Sequence, residues 1–323
     1  MKKNINYFQG CDYVIATVTL NPALDKIIIL DQIKNCDNNK IKEEKFDIGG
    51  KGTHVSSVLS DLGLKNIATG ILGGHAGSIL ESLLHKKDIE CRFIYPPNYE
   101  TRTSYIIIEK NKNNHFMLTE KGDKVDAKSV DELFELIRKL STSCEFMIFS
   151  GGVCPGFDVN IYRKLIELAN ENNCKTFLDA SGDYLIEGVK GKPFMIKPNI
   201  EEISDIIGHK PKNIDEIVFY AKELIKYGIS IVAVTLDSNG SLIVSENETF
   251  RIYPPKIKSI NTVGCGDVFF GSSIFKLYHN SNLREAFKFA TAISASKAMN
   301  LMTSEFDINE ALKLLDEVTV EYI

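Results

Sequence analysis

Short apolar runs alternate along this chain with longer segments whose apolar residues recur every three or four positions, and the alternation predicts strands and helices in turn. Strand-like runs occupy residues 14–20, 66–71, 146–150, 175–179, 194–197 and 229–236. Several end on glycine or a polar side chain, as strands do when they deliver chemistry at their carboxyl ends. Helical spacing fits 52–62, where Val55, Val58, Leu59 and Leu62 form one stripe, and also 160–172, 215–227, 267–278 and 283–300. Ser129 followed three residues later by Glu132 is a capping-box signature ahead of the apolar stretch 133–140. Strands and helices in alternation favour an α/β fold, a largely parallel sheet covered by helices.

Two stretches break the pattern. Residues 26–46 read as strand, polar loop, strand, and residues 91–118 read as strands with no helix between them. They supply either a small sheet outside the main one or a pair of surface hairpins, and periodicity alone does not choose. No internal repeat, low-complexity tract or linker marks a second independent domain. Residues 12–323 are therefore expected to fold as one unit, with 1–11 as an N-terminal extension.

Composition narrows the function classes. Hydrophobic residues are 44% of the 323 and charged residues 25%, which is ordinary for a soluble globular chain and argues against disorder. A formal net charge of −5 supplies no basic field for nucleic acid, so a phosphate-bearing ligand has to meet local cations. No apolar run approaches the roughly 20 residues that span a bilayer. Residues 1–10 lack the apolar core of a secretory signal. The cysteines, an odd seven scattered from Cys11 to Cys265 without a Cys-x-x-Cys pair, suit neither a disulfide framework nor a zinc site. A reducing cytoplasm is the expected location.

The candidate chemistry is concentrated in glycine-rich turns. Gly264-Cys265-Gly266-Asp267 stands just before a helical pattern, where successive backbone N–H groups and the helix dipole converge on one anion. An Asp in that first turn is placed to take a proton from an alcohol attacking a phosphoryl group, but it is also a favourable residue at any helix start. Gly49-Gly50-Lys51-Gly52 opens another helical pattern, with glycines that permit close backbone approach and a lysine able to neutralise phosphate. Its spacing is not that of a Walker A loop. A flexible turn with a solvated lysine fits these residues equally well.

Taken in order, Leu20-Asn21-Pro22-Ala23-Leu24-Asp25, Gly49 to Gly52, Thr101-Arg102, Ser150-Gly151, Leu178-Asp179-Ala180-Ser181-Gly182, Lys197-Pro198-Asn199 and Gly264 to Asp267 resemble the ribokinase-like (PfkB) carbohydrate kinases. The resemblance runs over about residues 14–298. The opening motif is similar to that of the branch acting on sugar phosphates, the 1-phosphofructokinase and tagatose-6-phosphate kinase group. This resemblance implies a three-layer α/β/α domain with a mostly parallel central sheet and a small β-sheet lid, drawn from 26–46 and 91–118. It implies phosphoryl transfer from ATP, with Mg²⁺, to fructose 1-phosphate or tagatose 6-phosphate.

Roles follow by matching position. Asp267 would be the base, and the amides of Gly264, Cys265 and Gly266 would stabilise charge on the transferring group. Asp25, Gly49, Gly50, Lys51 and His54 would meet the sugar, and Arg102 the phosphate it already carries. Lys197 and Asn199 would face the nucleotide phosphates, bordered by Gly264 and Gly266, with Thr235, Asp237 and Gly240 in the nucleotide pocket. Glu202 would organise the metal through water, although Asn199 followed three residues later by Glu202 is also a helix cap. The implied partner is a second copy of the chain, bound through the lid, with neither nucleic acid nor membrane.

Four departures from the family pattern stand out. His54 occupies a position where Asn is usual, so it either contacts the sugar or packs for structural reasons, and its charge would vary near neutral pH. Thr235-Leu236-Asp237 replaces Ser-Leu-Gly. Ser150-Gly151-Gly152-Val153-Cys154-Pro155 replaces Ser-Gly-Ser-Leu-Pro. Cys265 sits where a smaller residue is usual; exposed at a helix N-terminus its thiol would have a lowered pKa and be blocked by ATP, whereas buried it would be inert. A kinase of free sugars or nucleosides on the same fold is one alternative, opposed by Arg102 and by the Leu20 to Asp25 motif. A silent sugar-phosphate sensor is another, and it would have no need of Asp267.

Overall fold

The computed structural model describes residues 15–111 and 114–323; the expected extension 1–11 and residues 112–113 of the 91–118 stretch lie outside the described residues. The chain opens with β1 (Ile15–Thr19), buried on both faces as a strand covered by helices must be. There follow β2 (Ala23–Leu30), β3 (Glu43–Gly49), α1 (Lys51–Asp61), β4 (Ile67–Ile71), α2 (Gly74–His85), β5 (Glu90–Ile94), β6 (Arg102–Glu109), β7 (Asn114–Thr119), α3 (Ala127–Ser141) and β8 (Phe146–Ser150). The second half adds α4 (Ile161–Asn170), β9 (Lys175–Asp179), α5 (Gly182–Val189), β10 (Met195–Ile196), α6 (Ile200–Ile207), α7 (Ile214–Tyr227), β11 (Ile231–Thr235), β12 (Ser241–Ser245), β13 (Thr249–Tyr253), α8 (Cys265–Tyr278), α9 (Leu283–Ala298), α10 (Ile308–Leu314) and β14 (Thr319–Tyr322).

The larger sheet has ten strands in the order β14-β13-β12-β11-β10-β9-β8-β1-β4-β5. It is parallel from β11 through β5 and antiparallel at the β12 to β14 edge. Successive residues of β8 separate the two cores. Phe146 and Ile148 pack with α1, α8 and α9, whereas Met147 and Phe149 pack with α3, α4 and α5. The result is the three-layer α/β/α arrangement. Among the described residues no helix is long and apolar enough to cross a membrane.

The smaller sheet has four strands in the order β3-β2-β6-β7, with β2 and β6 parallel and the outer pairs antiparallel. Ile27, Ile29 and Ile106 on its inner face pack against Leu301 and Met302. Residues 26–46 enter this sheet as β2 and β3, but 91–118 divides. Its first part, β5, pairs in parallel with β4 at the edge of the large sheet, and only β6 and β7 join the small one. The cause is α2, a crossover helix between β4 and β5 that opens on Gly73-Gly74; it places Phe93 of β5 against Leu80 and Leu84 in its own core.

One cap also moves. The N-cap of α3 is Asp126, whose side chain accepts from the Ser129 amide at 3.0 Å and from the Ser129 hydroxyl at 2.8 Å. Ser129 is thus the third residue of the helix rather than its cap, because a carboxylate three residues upstream already satisfies the orphan amide.

Candidate active site

The carboxyl ends of β1, β8 and β9, the start of β2 and the N-termini of α1, α6 and α8 meet on one side of the large sheet. At α8 the chain enters through Gly264 with φ 84°. A Cβ on Gly264 would lie 2.0 Å from the Thr303 carbonyl oxygen, so both conformation and space demand glycine. Asp267 stands in the first turn, 6% exposed. A Cβ on Gly266 would lie 3.7 Å from Lys197 Nζ, which places that ammonium beside the same turn. At α1, Gly50 has φ 97°, and a Cβ on Gly49 would collide with Asp25 at 2.1 Å. Asp25 therefore lies directly against the first glycine loop.

Four charged groups join the two glycine turns. Lys51 Nζ lies 3.1 Å from Asp179 Oδ1 and 3.7 Å from Glu202 Oε1, and Lys197 Nζ lies 3.4 Å from the same Asp179 oxygen. Burial opposes charge on Asp179, but Lys197 and Lys51 outweigh it and hold its carboxyl below the usual range. Burial likewise opposes charge on Lys51, and Asp179, Glu202 and Asp267 more than compensate, raising its pKa. Lys51 is accordingly a paired cation, although its side chain remains partly exposed. Glu202 goes the other way, pushed up chiefly by burial despite Lys51. Both halves of the Asn199 capping box are present: Asn199 Oδ1 accepts from the Glu202 amide at 2.8 Å, and Glu202 Oε2 accepts from the Asn199 amide at 2.9 Å.

A second line of groups runs through His54. Its Nδ1 lies 2.6 Å from Asp267 Oδ2, and its Nε2 lies 2.9 Å from the Ile48 carbonyl and 3.6 Å from Asp25 Oδ2. Both nitrogens of the ring are thus engaged by protein atoms. Several buried oxygens nearby have no hydrogen-bond partner among the described residues, namely Thr19 Oγ1, Asn21 Oδ1, Asp25 Oδ1 and Ser150 Oγ.

The remaining expected residues border this centre. Arg102, half-buried at the start of β6, donates through Nε to the Asn21 carbonyl at 3.1 Å and through Nη1 to the Glu120 carbonyl at 3.4 Å. Thr235 ends β11 in a bridge with Asn199, its amide donating to the Pro198 carbonyl at 2.9 Å. Asp237 then takes φ 51° and Gly240 φ 91° in the turn to β12. Asp237 thus adopts the left-handed backbone a glycine would favour, which aspartate tolerates better than most side chains. Cys265 is half-buried, and burial raises its thiol pKa, against the lowering expected for an exposed thiol at a helix N-terminus.

Two charged residues escaped the sequence reading. Asp179, inside the Leu178 to Gly182 motif, ties Lys51 to Lys197. Lys297 is wholly buried and donates to the Asn261 carbonyl at 2.8 Å, behind the Gly264 turn. Its one sequence signal is a lysine among the small residues of α9. Burial lowers its pKa.

Residues 18–305 match the pfkB family carbohydrate kinases. The chain belongs to this family. As a pfkB carbohydrate kinase it takes ATP as a substrate, and it has close full-length relatives. It is 30% identical over 319 residues to a 1-phosphofructokinase of Borreliella burgdorferi, covering 96% of this chain and 99% of that protein. It is also 30% identical over 310 residues to a tagatose-6-phosphate kinase of Staphylococcus epidermidis, covering 95% and 99%. Its fold matches phosphofructokinase-2 from Escherichia coli in complex with potassium, with a TM-score of 0.89 at 24% identity over 94% of this chain and 98% of that one.

Proposed function

We propose that the protein transfers the γ-phosphate of ATP to a primary hydroxyl of a ketohexose phosphate, fructose 1-phosphate or tagatose 6-phosphate, giving the bisphosphate. The observation that carries this reading is Asp267, a buried carboxylate in the first turn of α8, with Gly264 turning the chain into that helix and Lys197 beside Gly266. The alcohol proton passes to Asp267 as its oxygen bonds to the γ-phosphorus. The bond from phosphorus to the β,γ-bridging oxygen breaks, and its electron pair leaves on ADP. Amides of Gly264 and Gly266 would stabilise the developing charge, since the first amides of a helix have no partner within it, whereas the Cys265 amide donates to the Thr262 carbonyl at 3.2 Å.

Asp25, Gly49, Gly50 and Lys51 would hold the sugar, and the unpartnered oxygens of Thr19, Asn21, Asp25 and Ser150 suit a ligand rich in hydroxyl donors. Arg102 would pair with the phosphate already present on the substrate. Lys197 and Asn199 would face the nucleotide phosphates, with Thr235, Asp237 and Gly240 lining the nucleotide side. Mg²⁺ carried with ATP supplies charge neutralisation on the phosphates. Glu202 fits its water shell, because Oε2 is used in the cap and Oε1 faces Lys51 at 3.7 Å.

The small sheet would act as a lid over the sugar and as a contact between two copies. Register places Ile28, Phe46, Tyr105, Ile107, Phe116 and Leu118 on its outer face, opposite the packed Ile27, Ile29 and Ile106. Such an apolar face suits a symmetric partner. A coupled assay of ADP release across free and phosphorylated sugars tests the activity. Turnover with ketohexose phosphates and not with free sugars is expected; binding of ATP and sugar phosphate without ADP would overturn it in favour of a sensor.

A further inference from the structure

His54 replaces the asparagine usual at its position, and its surroundings explain what a ring does there that an amide does not. The Ile48 carbonyl, 2.9 Å from Nε2, can only accept, so Nε2 carries a hydrogen. That leaves Nδ1 at 2.6 Å from Asp267 Oδ2, with a proton between the ring and the carboxylate. Asp25 Oδ2 lies 3.6 Å from the other nitrogen, so an enclosed ring is flanked by two carboxylates.

Resting on the reading of Asp267 as the base, we propose that His54 is a charged positioning residue: its imidazolium holds Asp267 by Oδ2 and thereby presents Oδ1 to the acceptor hydroxyl. Burial works against a charged ring, but hydrogen bonds and charge from Asp25 and Asp267 outweigh it and push the His54 pKa up to about 10. The other charges around this line come from Asp47 on β3, Arg102 on β6, Lys51 on α1 and Lys297 on α9. None of them is hydrogen-bonded to Asp267, so the grip on its Oδ2 belongs to His54.

In phosphoryl transfer the Oδ1 atom takes the alcohol proton while Oδ2 stays bonded to Nδ1–H, so the carboxyl does not rotate away from the reacting oxygen. A neutral imidazole could not do this, because its Nδ1 lone pair would face a carboxylate lone pair. The side-chain amide of asparagine reaches about as far as Nδ1 but brings no charge and cannot also reach Ile48.

Ring-nitrogen ¹⁵N NMR of the ligand-free protein at pH 8 reads the proton directly, independently of any sugar. Both nitrogens of His54 are expected to be protonated; a neutral ring overturns the proposal. Kinetics then separates charge from contact. His54→Asn should move the acid limb of the kcat profile to higher pH by about one unit, which is about a tenfold loss on that limb. His54→Leu should lose roughly a hundredfold at every pH, as removal of a preorganised donor does. A raised sugar-phosphate KM with an unmoved kcat profile would assign His54 to substrate binding and overturn the proposal. Failure of the functional reading looks different: the wild-type protein would then turn over no sugar phosphate at all, whatever the ring nitrogens report.

Discussion

On the proposed function the chemistry turns on Asp267 and His54, and each gives a measurable expectation. Asp267→Asn preserves size and the helix start, so ATP affinity by calorimetry should be unchanged while kcat falls by roughly 10² to 10⁴. Retained turnover would remove Asp267 from the mechanism. His54 also ties stability to pH. Its folded pKa of about 10 stands above the ordinary 6.5, so the stabilisation is complete below about 6.5 and is lost as pH rises through 10. The stability gap between wild type and His54→Asn in urea unfolding should therefore shrink from pH 6.5 to pH 10. Asp237 offers a backbone test at φ 51°: Asp237→Gly should stabilise the protein by up to about 1 kcal/mol, since glycine takes the left-handed region without strain.

At the scale of elements, α6 and α8 show how one local signal serves both fold and site. Asn199 caps α6 and simultaneously fixes Glu202 near Lys51. Asn199→Ala should cost about 1 kcal/mol of stability, in the range for losing an N-cap. It should also weaken ATP binding, because Glu202 loses its tether; a stability loss with unchanged nucleotide affinity would confine Asn199 to the cap. The sequence reading of these elements was uneven for a physical reason. Apolar periodicity reported α1, α4, α7 and α9 to within about two residues; α4 and α7 bury one face, whereas α1 and α9 are buried on nearly every side over most of their length. It missed α2, which opens on Gly73-Gly74, and so it could not see that β5 pairs with β4 across that helix. The capping pattern at Ser129 failed because Asp126 competes for the same amide.

For the whole molecule, the two sheets do different work. The ten-stranded sheet brings carboxyl ends of strands far apart in sequence to one rim. The four-stranded sheet carries Asp25 and Arg102 on neighbouring strands, Ala23 pairing with Arg102 and Asp25 with Ser104. Its outer apolar face predicts self-association. Leu118→Glu, 57% exposed in the single chain, should convert a dimer to monomer in sedimentation analysis without unfolding it. An unchanged mass would place any dimer contact elsewhere. If the same sheet closes over the sugar, ATP hydrolysis should differ with and without sugar phosphate, and equal rates would count against closure.

The ordered motifs by themselves determined the family, the α/β class and the residues to watch, because glycine turns and strand-end polar residues are local features written contiguously in the chain. Tertiary structure alone decided their partnerships. Lys51, Asp179, Lys197 and Glu202 are spread over about 150 residues and meet only where the parallel sheet gathers its strand ends. The contact of His54 with Asp267 spans 213 residues, and no spacing rule reaches that far. Burial, too, belongs to the fold: it raises the pKa of the half-buried Cys265 thiol at a helix N-terminus, and it hid Lys297 behind the turn that Gly264 makes.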